Sequence, residues 1–426
     1  MSEVQLYQLE CELIAFAGGV LLIALVLRHL RKMMPGIAIA RAIWIAFAVR
    51  VVAALLLNQT PIAGQLRGGD EGTFLYQAQS LARWDFISHG TFDGLIKNFH
   101  VLWFSFNYRL FDPLSQMTLR IEVIAIAVTG LALLAAAVHE LAGRKAAVVT
   151  AWILAFEPTS IFFSGILHKE PFMLLAEGMV SYGGARLWKR GQLTALIPMV
   201  VGCLLATATR PYAGWFLSAA AAAVALHAGL KRRSSPARSF VLIAIVIGLA
   251  AAFFPAVWNA SSKQSLQQLQ SSQDFNAHGV QANLSLERVD YSTRNKIVTN
   301  LPQRILDITT KPYPWQLGNT SQRLGLLGTT FLFVGLIFLL GAMLTNGKEI
   351  MRRAGPLVYP ALFLLVAYSL SAGNAGTAFR YRTHLVAFLV AVLVVLRTAR
   401  QERRAAVRER TRVARIQPII ARGQTT

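Results

Sequence analysis

Residues 118–145 read TLRIEVIAIAVTGLALLAAAVHELAGRK. From Val123 to Val138 no side chain is charged, and the apolar run gives way to Arg144 and Lys145. An α-helix rises about 1.5 Å per residue, so about 20 mainly apolar residues cross the hydrocarbon core of a bilayer. The stretch therefore predicts a transmembrane helix over 118–138 with a cationic loop behind it. Runs of the same kind lie on both sides. They predict further helices over 11–28, 37–57, 146–163, 171–188, 192–209, 213–230, 239–258, 327–345, 355–372 and 383–397. The expected fold class is an all-α integral membrane protein with about eleven transmembrane helices. Residues 1–397 form one polytopic domain, and 398–426 form a basic tail expected to be disordered.

Composition agrees. Of 426 residues, 55% are hydrophobic and 15% charged, against about a quarter charged in soluble domains. The formal net charge of +22 would suggest nucleic acid in a soluble protein. Here the cations sit mostly in short loops and the tail, so membrane topology explains them and no nucleic-acid partner is expected. Cys11 and Cys203 both fall in apolar runs, which speaks against a disulfide framework or a zinc site. The N-terminus has no basic segment of the kind that opens a cleaved signal peptide.

The loops set the orientation. Arg28, Arg31 and Lys32 follow the first helix, and Arg144 and Lys145 the third. Arg186, Lys189 and Arg190 follow the fifth, and Lys231, Arg232, Arg233 and Arg238 the seventh. Lys348, Arg352 and Arg353 follow the ninth, and the last helix enters the arginine-rich tail. Cation-rich loops stay in the cytoplasm, so every second loop and the C-terminus are cytoplasmic and the N-terminus is outside. Two long loops, 58–117 and 259–326, then lie on the outer face. In the first, Phe74, Ala78 and Leu81 recur at helical spacing and predict an amphipathic helix along the membrane surface. The second ends in Lys311-Pro312-Tyr313-Pro314-Trp315, a rigid aromatic segment suited to an interface.

Four polar motifs fall on that outer face. Gly68-Gly69-Asp70-Glu71-Gly72 places two carboxylates near the start of a helix. Such a group accepts a proton from a hydroxyl in general-base work or simply caps the helix. His168-Lys169-Glu170-Pro171 leaves donors for a phosphate at the start of a helix, or a snorkelling lysine anchor. Arg210-Pro211-Tyr212 puts a cation where the topology disfavours one, which marks a functional candidate or a lipid anchor. Gly373-Asn374-Ala375-Gly376-Thr377-Ala378-Phe379-Arg380-Tyr381-Arg382 projects two arginines from a helix start, a phosphate-binding arrangement or another anchor. Arg50, Glu122 and Glu177 fall within or at the ends of helices and are expected to pair inside the bundle.

Asp70-Glu71 in a first outer loop, followed by Tyr76 and Ala78, resembles the C-type membrane glycosyltransferases. That superfamily includes protein O-mannosyltransferase-like (family 39-like) and lipid A aminoarabinose transferase-like enzymes. Glu157-Pro158-Thr159-Ser160 through Pro171, then Arg210-Pro211-Tyr212, the Lys311–Trp315 segment and the Gly376–Arg382 loop look like a bacterial, exopolysaccharide-associated branch. The resemblance implies transfer of a sugar from a polyprenyl-phosphate carrier to a glycan or lipid acceptor at the outer face of the bacterial inner membrane. It implies Asp70 as catalytic base, with Glu71 as the alternative, and His168, Lys169, Arg210, Arg380 and Arg382 around the carrier phosphate. Some relatives use a divalent metal, but the sequence shows no convincing ligand set. Membrane lipids and an envelope-synthesis complex are the further partners it suggests. The chain departs from many relatives in its two helices before the first outer loop and in its basic tail. Other readings of the same face are an O-antigen-type polysaccharide polymerase, a flippase for lipid-linked sugars, and a non-catalytic scaffold.

Overall fold

The computed structural model describes residues 2–58, 62–83, 98–231, 266–271, 274, 289–311, 313–317, 320–373 and 375–423. Among them the backbone is helical nearly throughout and contains no strand. This is what lipid demands: a helix satisfies its backbone N–H and C=O groups within one segment. In chain order the helices are α1 (Glu3–Met33), α2 (Ala40–Asn58), α3 (Ile62–Arg83), α4 (Phe99–Leu110), α5 (Gln116–Ala155) and α6 (Pro158–Ser164). They continue with α7 (Glu170–Arg190), α8 (Leu196–Thr209), α9 (Pro211–Lys231), α10 (Arg294–Thr310), α11 (Thr320–Ser371) and α12 (Ala375–Gly423). The helix expected over 239–258 and parts of both long loops lie outside the described residues.

Seven segments among the described residues are long and apolar enough to cross a membrane. They are Glu3–Met33, Ala40–Asn58, Gln116–Ala155, Pro211–Leu230, Gly328–Thr345, Glu349–Ser371 and Thr377–Thr411. Outward-facing residues such as Leu13, Ile14, Leu25, Leu204, Phe338 and Leu344 are large, apolar and exposed. Lipid is the solvent that makes such a surface stable, so the chain fits a multi-pass helical membrane protein.

Among the described residues, local sequence divides several of the expected helices differently. The helices expected over 118–138 and 146–163 are arms of one element, α5, broken at Gly143, where φ is +83° and ψ −177°. That backbone conformation is open to glycine and strained for other residues. The second arm stops at Ala155. Glu157 then caps α6, accepting from the N–H groups of Thr159 and Ser160, with Pro158 at the first helical position. The segment expected over 171–188 is helical as α7, but Glu177, Ser181, Tyr182 and Arg186 dilute its apolar character. The one over 192–209 forms only 14 residues of α-helix.

α7 is buried along nearly its whole length and packs against α5 backbone to backbone. A Cβ built on Gly130 would strike the carbonyl of Leu174, and one on Gly178 would strike the carbonyl of Gly130. Small residues at such a crossing are how helices approach closely where no hydrophobic force acts between them. Around this pair, α8, α9, α11 and α12 complete the main core, while α1 and α2 pack on the outer side of α5. A third cluster joins α3 and α4 to the starts of α5 and α7 through Leu75, Ala78, Phe104, Leu119, Leu167 and Phe172.

Beyond the last apolar run, the backbone of α12 continues as a helix to Gly423. Arg, Ala, Glu and Gln all have high helix propensity, and ion pairs from Glu402 to Arg353 (2.8 Å) and Arg403 to Glu349 (3.1 Å) hold its continuation to α11. These pairs, with Arg190–Glu140, lie at the basic end of the bundle. The starts of α7 and α12 and the α8–α9 junction lie at the other.

Candidate functional site

At the end opposite the basic loops, α7 begins without a side-chain cap. Lys169 takes the cap position with no side-chain hydrogen bond to the helix. Glu170 follows, fully buried. Its counter-ion is Arg210, the single residue between α8 and α9, with Nη2 2.9 Å from Glu170 Oε1. Arg210 also lies against the ring of Tyr381, 4.9 Å from its centroid, and Tyr381 stacks on Tyr368 at 4.4 Å. The hydroxyls of Tyr212 and Tyr381 meet at 2.6 Å. Deeper in the bundle, Tyr368 donates to Glu177 (3.3 Å), and Glu177 faces His384 Nδ1 at 3.0 Å. A ladder of polar groups thus descends from Glu170 into the apolar core and ends at His384.

Beside the top of this ladder, α3 brings Asp70. Its carboxylate meets Arg380 Nη1 at 2.7 Å, and the same nitrogen lies 3.2 Å from His168 Nδ1. A guanidinium only donates, so His168 accepts on Nδ1 and carries its proton on Nε2. Burial alone would raise the Asp70 pKa, but the charge of Arg380 and its hydrogen bond outweigh that and hold the carboxyl below its ordinary value. Lys169 extends its ammonium over the ring of Phe74, 5.4 Å from the centroid. Burial, reinforced by the charge of Arg210, brings its pKa down from 10.5 to about 8. Three stretches of sequence far apart, in α3, the α6–α7 connection and α12, therefore converge on one patch of alternating charge.

Of the residues singled out in the sequence, Asp70, His168 and Arg380 touch directly. Lys169 and Arg210 flank them. Glu71 and Arg382 go elsewhere. Glu71 faces Arg120, and both are buried. Arg120 also donates to the carbonyl of Gly165 (2.8 Å), so the pair brackets α3 and the α6–α7 connection to α5. Arg382 is two residues from Arg380, which on a helix is roughly 200° around the axis. It points away from the site and donates to the carbonyls of Ile308 (2.6 Å) and Lys311 and to the Thr329 hydroxyl, clamping the end of α10 to α11 and α12. Arg50, buried, donates to the carbonyls of Leu154 and Ala155 (both 3.0 Å) and to the Ser160 hydroxyl (2.8 Å), closing the end of α5.

Sequence reading passed over His100, Phe74, Tyr368 and His384 as site neighbours. Helical spacing carries the signal for some of them. Phe74 lies one turn after Asp70, His384 one turn after Arg380, and Glu177 two turns after Glu170, so each pair shares a helix face. Among the described residues, no three His, Cys, Asp or Glu side chains gather as a metal site would require.

The site is a half-open acid–arginine–histidine contact with a lysine and a second arginine beside it, at one end of a membrane bundle. No known family model matches the chain. No curated protein and no solved structure shows significant similarity to it.

Proposed function

We propose that the chain transfers a sugar from a polyprenyl-phosphate carrier to a glycan or lipid acceptor, with inversion at the anomeric carbon. In this reading the fold is a C-type glycosyltransferase architecture of about eleven spans in a bacterial inner membrane. The site end faces outward, and the tail is cytoplasmic.

The acceptor hydroxyl gives its proton to Asp70 as its oxygen bonds to the anomeric carbon. The bond from that carbon to the phosphate oxygen breaks, and the carrier phosphate leaves. Arg380, Lys169, His168 and Arg210 stabilise the charge that gathers on it. Seating two lipid-anchored reactants side by side at the membrane surface supplies rate through proximity.

The observation that carries this reading is the shared Arg380 nitrogen between Asp70 and His168. In the resting state Arg380 weakens Asp70 as a base. A phosphate ester bound at His168 and Lys169 competes for the same guanidinium. Asp70 then recovers proton affinity only when the donor is present, which guards against idle chemistry. Asp70 is also 53% exposed at its side chain, open to an incoming hydroxyl.

The test is genetic and chemical. The gene is deleted in its own host and complemented with wild type, Asp70→Asn or Lys169→Ala at equal membrane abundance. Surface glycan and lipid-linked intermediates are then compared by mass spectrometry. The expected result is a glycan lacking one sugar that Asp70→Asn does not restore, with transfer reduced about 10²–10⁴-fold by loss of the base. An unchanged glycan and lipid pool in the deletion overturns the reading.

The cationic character of the site favours one second reading. Arg380, Arg210, Lys169 and His168 together suit a polymerase of lipid-linked repeat units, in which Asp70 is dispensable. Single repeat units would then accumulate in the deletion, and Asp70→Asn would restore the polymer.

A further inference from the structure

His100 stands near the start of α4 and is fully buried. Among the described residues, neither of its ring nitrogens has a hydrogen-bond partner. Its surroundings are rings. Phe74 meets it edge-on at 4.5 Å and Phe104 at 6.1 Å, and Phe99, Trp103 and Phe172 extend the same cluster. Phenylalanine would fill that cage with no polar atom left unsatisfied. A buried histidine with both nitrogens idle is destabilising, and a group kept at that cost calls for an explanation such as a ligand or a reaction that uses it.

The position suggests the use. Phe74 separates His100 from the anion site: the same ring carries the Lys169 ammonium over its face and meets His168 edge-on at 5.6 Å. Asp70 lies one helical turn before Phe74 on α3. Burial, and then the positive charge of Lys169, hold His100 well below the ordinary imidazole range. It is therefore neutral at physiological pH, with one N–H to donate. A neutral donor adds a directional bond to a phosphate without adding another charge to a patch already crowded with cations.

We propose that His100 is a further binding residue of this site: when a phosphate ester enters, the Phe74 ring turns aside and the His100 ring donates an N–H to a phosphate oxygen. This rests on the phosphate-binding reading given above. It adds a residue from α4 and makes Phe74 the ring that shields the donor until the ligand arrives. The acceptor of that bond is a phosphate, whether it belongs to a polyprenyl carrier, to a phospholipid headgroup or to free phosphate.

The experiment uses the purified full-length protein in detergent and three probes: a short-chain polyprenyl phosphate, phosphatidylglycerol in mixed micelles, and inorganic phosphate. Affinity is measured for wild type, His100→Phe and His100→Gln, together with the melting temperature of each. His100→Phe keeps the cage and removes both nitrogens, and His100→Gln keeps an N–H donor. The expected result is at least tenfold weaker binding in His100→Phe at an unchanged or higher melting temperature, with His100→Gln within about threefold of wild type. The probe that shows this pattern identifies the source of the phosphate. Wild-type affinity in a folded His100→Phe overturns the role of His100 and leaves the phosphate site standing. Failure of wild type to bind any of the three overturns both.

If His100→Phe does not fold, the imidazole ¹⁵N shifts of wild type decide. A resonance absent from His100→Gln moves on adding the bound probe if the proposal holds, and stays fixed if it does not.

Discussion

Asp70 and Glu71 are neighbours, both acidic, and both paired with an arginine, yet the pairs are built for different ends. In Asp70–Arg380 the side chains keep 53% and 21% of their exposure, whereas in Glu71–Arg120 they keep 5% and 2%. Successive residues on a helix point about 100° apart. One carboxylate therefore looks along the open rim, and the other looks into α5. A sealed pair cannot exchange its partner without leaving a buried charge unpaired, so it serves to fix three segments together. An open pair is held weakly and can trade its partner for a ligand. Residue type nominates both carboxylates, and direction separates them.

The sharpest way to break this contrast is Arg120→Ala. Removing one partner of a buried ion pair costs about 3–5 kcal/mol. The variant should melt far below wild type in detergent, while Glu71→Gln, which still accepts a hydrogen bond, should lose less. A loss under about 1 kcal/mol, the range of exposed pairs, would mean that Glu71–Arg120 is not sealed and that the contrast has no energetic basis.

Arg382 and Arg380 extend the same comparison to α12. Arg382→Ala strips donors from two carbonyls and a hydroxyl, which should destabilise by about 2–3 kcal/mol. Arg380→Ala should change the melting temperature little and remove phosphate binding. The reverse pattern would place the anion site at Arg382.

Lys169 sharpens the comparison through pH. Its pKa falls from 10.5 to about 8 in the folded protein. Between these values the folded protein has released a proton that the unfolded chain still holds, so this group's contribution to stability rises with pH over that window. Anion affinity runs the other way. It should fall above about pH 8, by at most about tenfold per pH unit, as the ammonium is lost. Lys169→Arg should remove the fall, since a guanidinium stays charged there. A flat affinity profile in wild type from pH 7 to 10 would take Lys169 out of the site.

The smallest expected effect is that of Asp70→Asn on stability, within about 1 kcal/mol for a half-exposed pair. Its sign follows from the depressed Asp70 pKa. The contribution is present above the unfolded value near 3.8 and is lost as pH falls through the lower folded value. Thermal melts at pH 7 and pH 3 should therefore converge for wild type and variant at the acid end. A loss above 3 kcal/mol at pH 7 would make Asp70 a structural bracket like Glu71.

Much of this was legible in the sequence because lipid imposes a coarse rule. A run such as 123–138 admits no reading but a helix, and the cation-rich loops define one end of the bundle. The breaks were harder. Gly143 and Glu157 divide the chain through one backbone angle and one cap, and neither disturbs the apolar pattern around it. In the site, Asp70, His168, Lys169, Arg210 and Arg380 stood out because charge is rare in such a chain. Glu71 and Arg382 stood out for the same reason, but the direction of a side chain two residues along a helix depends on which face meets a neighbour. His100 was silent because one histidine among aromatic residues reads as packing, and only its unpaired nitrogens distinguish it.

α12 runs unbroken from Arg380 in the site to Arg403, which is tied to Glu349 at the basic end. Those 23 steps of helix measure about 35 Å. A rod of that stiffness cannot stretch or shorten to suit its surroundings, so a thinner or thicker membrane is met by tilt. Glu71–Arg120 ties α3 to α5, and α5 shares the main core with the rod, so Asp70 and Arg380 are carried together when the bundle tilts.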